Sequence, residues 1–516
     1  MPLRKNVNLT LVSSHVSLDL NFQSCPLWAA FCKGEDFLYP NLITKRASLT
    51  PQKTAIIFGQ ERWTFKDVEV VAHEMAGKLR SVGIEPGMRI AVLSPTNTDF
   101  LKVIYGCMYA GCEMVFLNER LSEEELKYQV EDSNAVKILV DDSYASKLIS
   151  ESVCLFSTLN QAPIEQFTSA KEWEPNRTIS IMYTSGTTGF PKGVRQTMEN
   201  HFSSATASAF NMGVDPNDVW LCTMPLFHIS GFSIIMRSLI YGIGISLYPK
   251  FDAVKITDEL IDGTVTHMSV VSVMLERILT ELEHRNELVS TKFKIMLAGG
   301  GPIPIAYLER AQAKGIAILQ TYGMTETSSQ TSTLAAEDAK RKIGSSGKPL
   351  LLNEIKIDGA TSPNQMGEIL IKGPHVTPGY IGHFANHPAQ KDGWLYTGDV
   401  GYLDAEGYLY VVDRRSDLII SGGENVYPAE VENAILKHPD ILGAGVCGHK
   451  DEQWGEVPVA FLVTNAQITL ESLQKFLSNH LAAYKIPKFM YVVEELPRNA
   501  SNKLLRRELK KWLLSK

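Results

Sequence analysis

The chain has 516 residues, 44% of them hydrophobic and 21% charged, which is enough for about three folding units and excludes a disordered or collagen-like chain. Lysine plus arginine number 50 and aspartate plus glutamate 57; the net charge of −7 argues against broad nucleic-acid binding but leaves room for a site for one nucleotide. Seven cysteines with no Cys-x-x-Cys pair argue against a disulfide framework or zinc site and suit a reducing cytoplasm, and no apolar run is long enough for a membrane span.

In chain order, the stretch from Leu9 to Leu20 is broken by Ser13, Ser14, His15 and Asp19, so no signal peptide is read. The first globular pattern begins near Pro40. Residues 1–39 are expected to be a dispensable extension, from a start codon placed too far upstream. Trp63 to Asp67 lead into an amphipathic stretch reaching Leu79. Arg89–Leu93 reads as a buried strand, followed by a loop and helix start at Ser94 to Asn97. Lys137–Val140, Ser180–Tyr183, Ile245–Tyr248, His267–Val271 and Lys294–Ala298 read as further strands. This alternation predicts an α/β fold with a largely parallel sheet. From about residue 340, Glu354–Asp358 and Gly367–Lys372 alternate with period two, and Tyr402–Asp413 reads as a hairpin, so a smaller antiparallel β unit is expected. A boundary falls at Asp413–Asp417. A compact α+β segment follows and ends in an amphipathic helix with Leu505, Leu509, Trp512 and Leu513 on one face. The basic residues of that helix read as a solvated face.

The strongest chemical signal is Tyr183-Thr-Ser-Gly-Thr-Thr-Gly-Phe-Pro-Lys-Gly-Val194. Glycines let backbone N–H groups approach a polyphosphate, hydroxyls add donors, and Lys192 supplies a mobile charge. Pro191 and Gly193 stand where a Walker A loop would need Gly and Ser or Thr. This string resembles the signature of the adenylate-forming superfamily: acyl-CoA ligases, luciferases and peptide-synthetase adenylation domains. Four further strings, in the same order, resemble that family's motifs: Tyr322-Gly-Met-Thr-Glu326, Tyr396-Thr-Gly-Asp399, Arg414 to Asp417, and Pro497 to Lys503. The resemblance spans roughly residues 40–511.

The resemblance implies a large N-terminal AMP-binding domain over 40–413, built of α/β subdomains plus the antiparallel unit. It implies a hinge at 414–417 pivoting on Ser416, and a smaller mobile α+β domain over 418–516. It also implies roles. Thr184, Ser185, Gly186, Thr187, Thr188 and Lys192 would hold the β- and γ-phosphates of ATP. Thr325 would contact the α-phosphate and Glu326 would hold Mg²⁺. Asp399, assisted by Arg414, would take the ribose hydroxyls. Gly299, Gly300, Gly301 and Gly323 would let adenine and acyl group lie against backbone, with Tyr322 stacked on adenine. Lys503 would be the catalytic lysine of adenylation; Asn502 before it replaces the usual glycine, and asparagine tolerates the left-handed conformation. Domain rotation would then bring the loop Gly422, Gly423, Glu424 and Asn425 to a pantetheine tunnel for CoA.

For the acid, His228, Ser230, Arg237 and Gly301 are candidate pocket residues. Arg237 sits in the apolar run Phe232–Ile240 and needs a partner. It either snorkels to the surface or neutralises a second carboxylate on the substrate. The strings Pro225–Gly231, Tyr322–Thr327, Asp413–Asn425 and Leu496–Lys503 resemble the 2-succinylbenzoate–CoA ligases of menaquinone biosynthesis in Gram-positive bacteria. That resemblance implies a cytoplasmic ligase for a keto-diacid, with ATP, Mg²⁺ and CoA as co-substrates and cofactor. Alternatives are another acyl-CoA ligase for a fatty or aryl acid, a stand-alone adenylation domain loading a carrier protein, and a non-catalytic nucleotide-binding module. Oligomeric state stays open, a homodimer included.

Overall fold

A computed structural model describes residues 38–148, 150–184, 190–300, 303, 305–414, 418–426, 428–497, 504 and 506–514. Two large sheets dominate. The seven-stranded sheet is ordered 379–381, 192–197, 178–184, 113–116, 89–93, 137–140, 153–155, and its last five strands run parallel. The nine-stranded sheet is ordered 348–349, 329–334, 318–324, 295–298, 267–270, 219–222, 244–247, 54–58, 61–64. Its strands from Ile318–Met324 to Thr54–Phe58 run parallel.

Between the sheets lie helices Phe65–Ser81 and Thr98–Ala110, packed on each other. Both begin with side chains that satisfy otherwise orphaned N–H groups. Thr64 and Asp67 form a reciprocal capping box, and Asn97 accepts from Phe100 N. The second helix ends on Gly111 at φ 87°, a left-handed stop suited to glycine. Phe100, Phe116 and Phe232 meet in the largest core, which draws residues from both sheets.

The antiparallel unit is a five-stranded sheet built on 354–357, 367–372, 394–403, 390–391 and 409–414. Gly367–Lys372 departs from the expected alternation: Leu370 lies between buried Ile369 and Ile371, all three at 1% exposure or less. The strand is central, paired on both edges, with neighbours on both faces. The last sheet combines 424–426, 419–421, 455–464, 441–451 and 489–492, packed by helices Pro428–Ile435, Leu470–Leu477 and Arg506–Leu514. The molecule is thus a mixed α/β fold with a large N-terminal and a small C-terminal domain.

Tyr39 differs from the reading of 1–39 as a separate extension. It is buried, pairs with Trp173 and packs on the ring of Phe202, because an aromatic next to Pro40 finds an open strand edge at Glu172–Trp173.

Candidate active site

A cavity of about 1150 Å³ opens where strands 178–184, 267–270, 295–298 and 318–324 end, facing the small domain. Ligand crevices in open α/β sheets lie at such carboxyl ends. Thr184 closes one strand and Lys192 opens the next, and the two are direct partners across the ladder. Residues 185–189 between them, and hence Ser185, Gly186, Thr187 and Thr188, lie outside the described residues, as do Gly301, Ser416 and Lys503. Lys192 Nζ lies over the rings of Tyr380 and Phe384, at 5.2 and 5.3 Å.

Behind the loop, Gln196 donates to the carbonyl of Thr325 at 2.8 Å and accepts from Ser180 at 2.5 Å. Ser180 also meets His201, a fully buried imidazole that desolvation lowers to about 3 and so keeps neutral. Thr325 and Glu326 form a single 3-10 turn after strand 318–324, tied to the phosphate strand by that glutamine. The carbonyl of Glu326 accepts from Thr377 N at 2.8 Å. Both residues line the cavity. Gly323 is required here: a Cβ would lie 1.7 Å from the Ser329 carbonyl oxygen.

Asp399 is 4% exposed and lies opposite Arg414 in the backbone ladder. Its Oδ2 accepts from the Tyr322 hydroxyl at 2.7 Å. Tyr322 is 7% exposed and packs in the core of the antiparallel unit, and Gly323 and Met324 form the cavity wall beside it. Gly299 and Gly300 follow strand 295–298 and line the cavity, Gly300 at φ 79°.

A further wall of the cavity is built on helix Ile229–Arg237, which His228 starts and Arg237 ends. Gly231 sits where a Cβ would come 2.3 Å from the Pro225 carbonyl oxygen, so the helix packs tightly on the preceding turn. His228 and Ser230 line the cavity. Arg237 does not snorkel. It is 1% exposed, at the end of a helix whose apolar residues pack into the large core. It donates to Ser233 at 3.1 Å, Ser329 at 3.3 Å and Gln330 at 2.9 Å, and lies 5.1 Å over the Trp220 ring. Its Nε has no partner, and no carboxylate among the described residues is within ion-pair distance. Burial pushes the guanidinium below its ordinary value. Ser329, Gln330 and Trp220 were not read from the sequence. Ser328 and Ser329 have φ of 50° and 113°, unusual for non-glycine residues, and this strain becomes visible only in the structure.

The other wall comes from the small domain. Gly422 and Gly423, at φ 59° and 84°, are the two central residues of a tight hairpin whose ends Ser421 and Glu424 pair. A Cβ on Gly422 would meet the Trp454 ring at 2.7 Å, and one on Gly423 would touch Val271 of the large domain. Glu424 receives Arg120 at 2.8 Å and His228 at 3.4 Å. Burial opposes its ionisation, but His228, then Arg120 and Lys485 overcome that and hold it at about 2. Asn425 also lines the cavity.

Residues 43–381 match the AMP-binding enzyme family and residues 430–503 match the AMP-binding enzyme C-terminal domain. A 2-succinylbenzoate–CoA ligase of Geobacillus sp. (strain WCH70) is 46% identical over 481 residues, covering 92% of this chain and 97% of that protein. The chain belongs to the AMP-binding enzyme family, among its 2-succinylbenzoate–CoA ligases. Two solved structures of family members extend the likeness. One is a double mutant of the o-succinylbenzoate CoA synthetase of Bacillus subtilis bound to a product analogue, OSB-NCoA. It is 41% identical, with a TM-score of 0.88, over 92% of this chain and 99% of that one. The other is the same synthetase with the acyl-adenylate intermediate OSB-AMP. It is 40% identical, with a TM-score of 0.71, over 92% and 98%.

Proposed function

We propose that this protein joins 2-succinylbenzoate to CoA at the expense of ATP, giving 2-succinylbenzoyl-CoA, AMP and pyrophosphate, a step of menaquinone biosynthesis. The observation that carries the choice of acid is Arg237, a buried cation held by neutral groups in the wall of the cavity that also holds Lys192 and Asp399. A fatty acid would leave it without a counter-ion; the aromatic carboxylate of the diacid supplies one.

In the first half-reaction the aliphatic carboxylate oxygen attacks the α-phosphorus, and the bond from that phosphorus to the β-bridging oxygen breaks. Anion meets anion, so preorganised donors must take up charge. Thr184 and Lys192 face the polyphosphate, Thr325 the α-phosphate, and Asp399, braced by Tyr322, accepts from the ribose. Ser185, Gly186, Thr187, Thr188, Arg414 and Lys503 belong to the same proposal by sequence. Among the described residues no group of three or more His, Cys, Asp or Glu is placed to hold a metal ion, and Glu326 is a carboxylate lining the cavity beside Thr325. That donor set fits Mg²⁺, a hard ion carried largely by the phosphates of its nucleotide. When bound, Mg²⁺ supplies Lewis-acid neutralisation of the phosphate oxygens.

In the second half-reaction the CoA sulfur, having lost its proton, attacks the acyl carbon and AMP leaves with the electron pair of the broken C–O bond. The likeness to the product-analogue complex is greater than to the adenylate complex at near-equal identity. This supports the thioester-forming arrangement of the small domain, with the Gly422–Gly423 tip bounding the thiol path and His228 turned to Glu424. A cytoplasmic location is part of the same proposal, supported by the five cysteines among the described residues, which are buried and free.

Pyrophosphate release, screened over fatty, aryl and succinylbenzoyl acids with CoA present, tests the substrate. The diacid is expected to dominate; a fatty acid turning over as fast would overturn the reading. Lys503→Ala tests the two arrangements. It is expected to abolish adenylate formation and spare thioester formation from supplied acyl-adenylate.

A further inference from the structure

The steps above leave one buried charge cluster unused. Helix Glu123–Ser133 of the large domain starts with Ser122 as its cap, and Glu125 completes a capping box. Glu125 Oε2 accepts from Ser122 N at 2.9 Å, which leaves Oε1 aimed away from the helix. Into that oxygen Lys485 of the small domain donates at 2.8 Å, and it donates also to Glu430 Oε1 of its own domain at 2.7 Å. Lys485 is 4% exposed, Glu125 9% and Glu430 8%. The preceding residue, Glu124, grips Lys437 and His480 of the small domain. Burial pushes the Glu430 carboxyl up against the pull of Lys485, and Glu125 adds to the rise.

The cluster spans the two domains, and the Glu125 half is fixed by the large domain's own helix cap. One cation between two carboxylates is well matched only while the domains are docked as here. Separation would leave Lys485 with Glu430 alone and Glu125 with its cap alone. We infer that Glu125 and Lys485 are positioning residues for thioester formation, a two-carboxylate clamp that holds the small domain with its glycine hairpin against the thiol path. The inference rests on the two-arrangement reading above. The clamp makes no demand on adenylation, which uses the other arrangement.

The test uses Glu125→Gln in the full-length enzyme. Glutamine keeps the capping box and removes the charge. Two rates are measured: ATP–pyrophosphate exchange with 2-succinylbenzoate, and single-turnover thioester formation from supplied 2-succinylbenzoyl-adenylate at saturating CoA. The expected result is a fall of about tenfold or more in thioester formation with exchange within about twofold of the parent. Lys485→Met should behave alike, and the double variant should be no worse than the poorer single one. Equal loss in both half-reactions, or loss in neither, overturns the clamp. A raised KM for CoA with unchanged maximal rate also overturns it, since Lys485 lines the cavity and would then be touching CoA. Lys503→Ala separates the levels: if it splits the half-reactions and Glu125→Gln does not, the clamp fails and the two arrangements stand.

Discussion

Arg237 and Lys485 are both buried cations, and they are served in opposite ways. Arg237 sits in the cavity wall among Ser233, Ser329, Gln330 and the Trp220 ring, dipoles that orient a guanidinium without cancelling its charge. Lys485 sits at the domain interface between two carboxylates, and their field outweighs desolvation to keep it charged. Taking a cation out of water costs several kcal/mol in either place. At the interface the protein repays that cost itself. In the cavity wall, on the proposed function, the repayment is left to the substrate. A buried charge lacking a protein counter-ion is therefore a better pointer to ligand chemistry than a buried pair.

The sharpest way to break this contrast is Arg237→Met. Losing the cation should cut kcat/KM for the diacid by about 10²- to 10³-fold, with KM for ATP unchanged. The melting temperature should hold or rise, because an unpaired buried charge has gone. Lys485→Met should instead lower it, because two carboxylates lose their partner. Calorimetry with steady-state kinetics on both variants checks the pair; equal thermal effects would erase the distinction.

A smaller effect is expected from pH. Glu424 is held at about 2 against an ordinary 4.5. Its depressed value stabilises the docked arrangement above about 4.5 and progressively less as pH falls toward 2. X-ray scattering between pH 6 and 3 should show expansion in the parent and a flatter response in Glu424→Gln. The smallest effect is expected at Tyr322→Phe, which removes one hydrogen bond to Asp399. It should raise KM for ATP by about fivefold, near 1 kcal/mol, with little change in KM for the diacid.

Much of the architecture was legible because the parallel strands are continuous apolar runs between helix caps and glycines, as at Arg89–Leu93 and Thr64–Asp67. The family was legible because its glycine, hydroxyl and lysine strings are contiguous in sequence. What the sequence hid depends on distant partners. Gly367–Lys372 reads as half-exposed until strands on both edges and packing on both faces are seen. Arg237 could not be placed by its own helix, since Ser329 and Gln330 reach it from a strand more than ninety residues later. Nothing in the local sequence of Lys485, Tyr484-Lys-Ile-Pro487, signals its burial. Only docking brings Glu125 to it, across |i−j| of 360.

The glycine hairpin of the small domain has an evolutionary consequence. At Gly422 and Gly423 the boundary of the proposed thiol path is bare main chain, with the Trp454 ring behind it and Val271 across from it. No side-chain substitution can shave such a wall, and any added carbon at Gly422 strikes an indole. Selection for a bulkier or slimmer acceptor must therefore act on the opposite bank, at Val271 and its neighbours. On the proposed function, adaptability toward the thiol is vested in the large domain.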